Sequence, residues 1–162
     1  MKNKMNQITK PEKLNNMKRY LLIITMLLGA VCSWGQDLSK DFVVIDNGCF
    51  NSLQLKTQYN GPNTVIVMPD PVIAPIQITK ALKGKQVIDL HLFVPTKPGA
   101  MGFGNIALNS DNVLQYSAAL SQWASHVSGK VVIHGSEVFT STIGVEFKAQ
   151  LEQITGLNFI AQ

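Results

Sequence analysis

Four short runs in this chain are apolar at consecutive positions: Phe42-Val43-Val44-Ile45, Thr64-Val65-Ile66-Val67-Met68, Gln86–Val94 with Val87, Ile88, Leu90, Leu92 and Phe93, and Lys130-Val131-Val132-Ile133-His134. A strand with one face in water alternates apolar and polar residues. A run without alternation needs both faces buried, as in a parallel strand covered by helices. Turn formers follow the runs: Asp46-Asn47-Gly48, Pro69-Asp70-Pro71, Pro95 and Gly135.

Helical patterns fill the intervals. Asn51–Tyr59 can hold a short helix. Ile73–Leu82 reads as a second, with Ile76, Ile78 and Leu82 roughly on one side and Gly84 as its stop. Gly99–Leu108 alternates glycine with Met101, Phe103 and Ile106, which predicts a hairpin. Asp111–Val127 reads as the longest helix, N-capped by Ser110 or Asn109, with Val113, Leu120, Trp123 and Val127 at helical spacing and Gly129 beyond its end. A last helix follows Thr140 or Ser141, with Ile143, Phe147, Leu151 and Ile154 facing the core. Gly156 stops it, and Leu157–Ala161 starts a further strand.

This alternation predicts an α/β fold with a mainly parallel sheet and right-handed crossovers. Sites in such sheets form beyond the carboxyl ends of the strands. Asp46, Asp70, Thr96, Ser136 and Glu137 are therefore the pocket candidates. Asp46 and Asp70 could equally be ordinary turn formers. Gly102-Phe103-Gly104-Asn105 resembles a phosphate loop only superficially, because it has neither the strand–loop–helix setting nor a following Lys-Ser/Thr.

Charge places the chain outside the cytoplasm and argues against nucleic acid. The formal charge is +4. Six of the basic residues, Lys2, Lys4, Lys10, Lys13, Lys18 and Arg19, precede residue 36, against Glu12 alone. The remainder carries a net charge of −1 and no arginine, so it lacks the bidentate reader of phosphate and guanine. Lys18-Arg19, the apolar Tyr20–Val31 and the small residues of Cys32-Ser33-Trp34-Gly35 have the order of a secretory signal peptide. This run of twelve residues, with one Thr and one Gly, is short of the roughly 20 apolar residues a membrane span needs. Residues 1–35 are thus read as leader and signal peptide, with Met17 an alternative start, and residues 36–162 as one domain, secreted, periplasmic or at the cell surface. Lipid anchoring at Cys32 is the weaker reading, since Val31 is bulky where such a site wants Gly or Ala. Cleavage after Gly35 leaves Cys49 without a disulfide partner.

Two stretches carry a resemblance: Ile88-Asp89-Leu90-His91-Leu92-Phe93-Val94-Pro95-Thr96-Lys97-Pro98-Gly99-Ala100 and Val132-Ile133-His134-Gly135-Ser136-Glu137-Val138. With the early Val-Val-Ile-Asp strand, the Asp-Asn-Val-Leu-Gln-Tyr segment before a tryptophan and the closing Gln-Ile-Thr-Gly, they resemble the domain of unknown function 4347 over about residues 41–161. That family is similar to the caspase–gingipain cysteine peptidases and often heads large bacterial surface proteins. The resemblance implies a three-layer sandwich of caspase/gingipain-like topology, and relatives that continue into further segments, so that the chain is expected to be truncated or a fragment. In the related peptidases the third strand ends in Ser-His-Gly and the fourth in Gly-Cys, which brings an imidazole and a thiolate to one substrate carbonyl. Here Pro95 stands at the histidine position and Ser136 at the cysteine position. The resemblance thus implies a secreted or surface domain without peptidase chemistry, in a structural or interaction role.

Two alternatives stay open. One is a residual hydrolase using Ser136 with His134 or His91. The other is a ligand- or glycan-binding module at the strand ends. His91, His134 and His126 read first as structural residues, as do Cys49 and Trp123. The three histidines lack metal-ligand spacing, so neither metal nor cofactor is expected.

Overall fold

The structure, a computed structural model, describes residues 40–67 and 74–162. The expected signal peptide, Met17, Cys32 and Asp70 lie outside them. Five strands, β1 (Phe42–Asp46), β2 (Thr64–Val67), β3 (Leu90–Phe93), β7 (Lys130–Ile133) and β8 (Asn158–Ala161), form one sheet in the order β2-β1-β3-β7-β8. Every neighbouring pair in it is parallel. β4 (Thr96–Lys97), β5 (Ala100–Phe103) and β6 (Ile106–Asn109) make a small antiparallel sheet that leaves β3 at its carboxyl end. The chain is therefore α/β with a mainly parallel sheet, as the unbroken apolar runs require.

Among the described residues four α-helices connect the strands: α1 (Ser52–Gln58), α2 (Ala74–Leu82), α3 (Ser117–Leu120) and α4 (Thr142–Thr155). On one face of the sheet, Val44, Leu92, Val131, Ile133 and Phe159 pack with Ile78 and Leu82 of α2 and Phe147 and Leu151 of α4. Met101, Phe103 and Leu108 of the hairpin join that core. On the other face, Val43, Ile45 and Phe93 pack against Leu55 and Tyr59 from the α1 segment. Burying any one of these large side chains is worth about 1.5–3 kcal/mol, so the double-sided burial of the strands dominates the fold.

Three expectations are corrected. Asp111–Val127 is not one helix but a 3₁₀ turn at Val113–Tyr116, the single turn α3, and a second 3₁₀ turn at Trp123–Ser125. Val113, Leu120, Trp123 and Val127 are nevertheless all buried, so the apolar spacing marked the inward side correctly. The intervening residues compete for the backbone: Ser125 Oγ donates to the Gln122 carbonyl and Gln122 Nε2 to that of Ala118. Among the described residues the longest helix is α4, where Ser141 Oγ accepts from the Gly144 amide and Gly156 closes the helix at φ 72°.

Second, Ile76 and Ile143 point outward, 37% and 58% exposed. The inward faces are Ala74, Ile78 and Leu82 in α2, and Gly144, Phe147, Leu151 and Thr155 in α4. Both follow a spacing of three to four; Ile76 lies midway between Ala74 and Ile78, and Ile143 stands one position before Gly144 at the start of its helix. Third, the strand expected over Gln86–Val94 spans only Leu90–Phe93. Val87 makes an isolated bridge to Val127, and Ile88 is half exposed.

Candidate functional site at the strand ends

β1, β3 and β7 are adjacent, so their carboxyl ends bring Asp46, Pro95-Thr96 and Gly135-Ser136-Glu137 to one edge of the sheet. Asp46 is 3% exposed. Its Oδ1 accepts from the Gly48 amide at 2.7 Å and its Oδ2 from the Gly104 amide at 2.6 Å. The carboxylate thus fastens the loop after β1 to the β5–β6 turn. Pro95 accepts from the Gly102 amide at 2.7 Å through its carbonyl. A Cβ on Gly48 or Gly102 would meet its ring at 3.6 or 3.4 Å. The proline, itself exposed, lies beside the loop after β1 and strand β5.

Thr96 and Glu137 form a second tie, with the Thr96 hydroxyl donating to Glu137 Oε1 at 2.6 Å. That hydroxyl, followed by Glu137's own backbone amide, holds the carboxyl below its ordinary pKa. Gly135 lies directly against Thr96: a Cβ there would stand 2.1 Å from Oγ1 and 2.5 Å from Cγ2. Ser136 follows in the exposed turn. The structure therefore brings Asp46 next to Pro95, and Thr96 next to Glu137.

A second cluster, missed from sequence, sits on the α1 face of the same strands. His91 Nδ1 and His134 Nε2 are 3.0 Å apart, and His91 Nε2 faces Asp41 Oδ2 at 3.5 Å. Asp41 Oδ1 accepts from the Asp89 amide at 3.0 Å, which sets the carboxylate's position. The network assigns the protons: Nε2–H of His91 points to Asp41, and His134 Nε2–H donates to His91 Nδ1. The His134 ring stacks on Phe93, with centroids 3.8 Å apart and planes 5° apart, and Phe93 contacts Tyr59 in turn. Burial lowers the His91 pKa, with Asp41 opposing it. Burial, followed by repulsion from His91, lowers that of His134 to about 4. Strand alternation places His91 with Phe93, and Val132 with His134, on common faces. Only the register, with His91 beside Val132, makes the two rings neighbours.

Both histidines are therefore neutral in the folded domain at neutral pH, whereas free imidazoles protonate below about 6.5. A group whose folded pKa is depressed contributes stability above its unfolded pKa and loses it as pH falls toward the folded value. Denaturation by urea is expected to show about 1 kcal/mol less stability at pH 5 than at pH 7, after allowance for the partial exposure of His134. His134→Phe, which keeps a ring on Phe93, should flatten that dependence. An unchanged slope would refute the assignment.

A Ser136 hydrolase needs an imidazole free to take its proton. Both His91 nitrogens are directed at Asp41 and His134, and His134 Nε2 is directed at His91; the remaining nitrogen, His134 Nδ1, has no hydrogen bond to Ser136 among the described residues. His126 caps the second 3₁₀ turn, with its Nδ1–H donating to the Lys85 carbonyl at 3.1 Å. Cys49 is a half-buried free thiol beside the smaller core cluster. Among the described residues no group of three His, Cys, Asp or Glu side chains is placed to hold a metal ion, and no helix is long and apolar enough to cross a membrane.

These features define an α/β domain with a parallel sheet whose carboxyl edge is occupied by loop-fastening bonds. Residues 42–162 match the family model described as Domain of unknown function (DUF4347), and the chain belongs to that family. No curated protein and no solved structure matches it.

Proposed function

We propose that this chain is a secreted or surface-associated domain of caspase/gingipain-like topology, without peptidase activity, in a structural or interaction role. The observation that carries the reading is the pair Pro95 and Ser136 at the ends of the adjacent strands β3 and β7. A cysteine peptidase of this kind would set its imidazole and thiolate there. Proline supplies no base. An unassisted serine hydroxyl is a poor nucleophile. The sheet order, with its parallel neighbours and its hairpin leaving β3, is compatible with that topology. Lys18-Arg19, the apolar Tyr20–Val31 and the small residues that follow support export.

The test is incubation of residues 36–162 with broad peptide libraries, read by mass spectrometry. No cleavage above buffer is expected, and Ser136→Ala should behave as the parent. Turnover that Ser136→Ala abolishes would overturn the reading.

A further inference from the structure

Away from the strand ends, α2 and the Val113–Ser125 segment enclose a groove of about 710 Å³. That lies within the roughly 300–1,000 Å³ of small-ligand sites. We propose that this groove binds a small anionic amphiphile, an organic carboxylate with an apolar tail.

The groove is preformed. Thr79 shares its one hydroxyl proton between the Pro75 and Ala119 carbonyls, both at 2.9 Å, and accepts from the buried Trp123 indole at 3.0 Å. One side chain thus fixes the separation of the two walls, so a ligand would not have to order them. The apolar surface comes from Ile76, Tyr116, Ala118 and Ala119. The outward turn of Ile76, which the core does not explain, gives the groove its largest aliphatic side chain.

Charge decides the head group. Lys80 and Lys83 line the groove one helical turn apart, and no acidic residue is among the described residues that line it. Neither ammonium group is in an ion pair among the described residues. His126 adds a ring whose Nδ1 is committed to the Lys85 carbonyl. Two cations beside an apolar trough complement a carboxylate with a tail. Phosphate diesters of nucleic acid fit less well, because residues 36–162 carry no arginine and a net charge of −1.

Isothermal titration with decanoate, kept below its micellar concentration, tests this. Saturable one-to-one binding is expected, with decanol at least tenfold weaker. Lys80→Gln/Lys83→Gln should weaken decanoate about tenfold, and Ala118→Trp, at an exposed position, should block it. Urea melts confirm that each variant is folded. Absence of saturable binding, equal affinity for decanol, or an unchanged affinity in the lysine variant would overturn the proposal. Because the groove is separate from the strand ends, this outcome is independent of the peptide-library result.

Discussion

Asp46→Ala is expected to lower the stability of the domain by about 3 kcal/mol, or about 10 °C in Tm. The Asp46 carboxylate is buried at the end of β1 and takes one backbone amide on each oxygen, those of Gly48 and Gly104. Hydrogen bonds to a charged acceptor are worth about 1.5–3 kcal/mol each, and because Gly48 and Gly104 are exposed, water can reach the freed amides and the loss falls at the lower end of that range. Asp46→Asn keeps one acceptor oxygen but turns an amide NH₂ toward the other donor, so roughly half the loss is expected. Urea denaturation of the three proteins at pH 7 checks this. A change under about 0.5 kcal/mol in the alanine variant would show that the clamp is dispensable. A carboxylate kept for ligand binding would behave differently, since its removal would leave the fold intact.

Gly144→Ala should be at least as damaging, with about 3 kcal/mol lost or no folded protein recovered. Alanine normally stabilises a helix relative to glycine, by about 1 kcal/mol. Here the added Cβ would lie 2.4 Å from the Val138 carbonyl oxygen and 2.9 Å from the Phe139 Cα. That carbonyl already accepts from the Gly99 amide at 2.9 Å. The methyl group would push the first turn of α4 away from the Ser136–Phe139 loop and from the start of the hairpin together. Circular dichroism with a denaturant series reads the outcome. Stabilisation by the alanine would show that the loop yields and that the close approach is not needed. Gly61→Ala, where a Cβ would have nothing within 4 Å, is the control for a merely tolerant surface.

Both effects lie at positions whose importance is invisible in sequence order. Asp46 follows an apolar run and reads as a strand-ending turn former. Its second partner, Gly104, is 58 residues away in a hairpin that the alternating glycines did reveal. Gly144 falls within a helical pattern in which glycine looks like a weakness. The same holds for the histidines. His91 and His134 are 43 residues apart, and their rings meet because β3 and β7 are neighbours in a particular register. In sequence order each stands as an isolated structural residue. Each is indeed satisfied, but by the other. For Ile76 and Ile143 the cause is local: Ile76 sits two residues out of phase with the buried stripe, whereas Ile143 keeps the four-residue spacing to Phe147 but Gly144, one position on, takes the inward place at the helix start. For Asp111–Val127, spacing found the buried side, while serine, asparagine and glutamine side chains bonded to the backbone decided that it is built of short turns.

The sequence by itself determined the fold class. Strands buried on both faces must be apolar at consecutive positions, and that signal is local to each run. It also determined the stop of the last helix at Gly156 and narrowed its start to Thr140 or Ser141. The tertiary structure alone decided what touches what: the Asp46 clamp, the Thr96–Glu137 tie, the Asp41–His91–His134 chain and the groove beside α2. Those contacts join residues tens of positions apart. The order and register of parallel strands set them, and no local pattern of side chains encodes either.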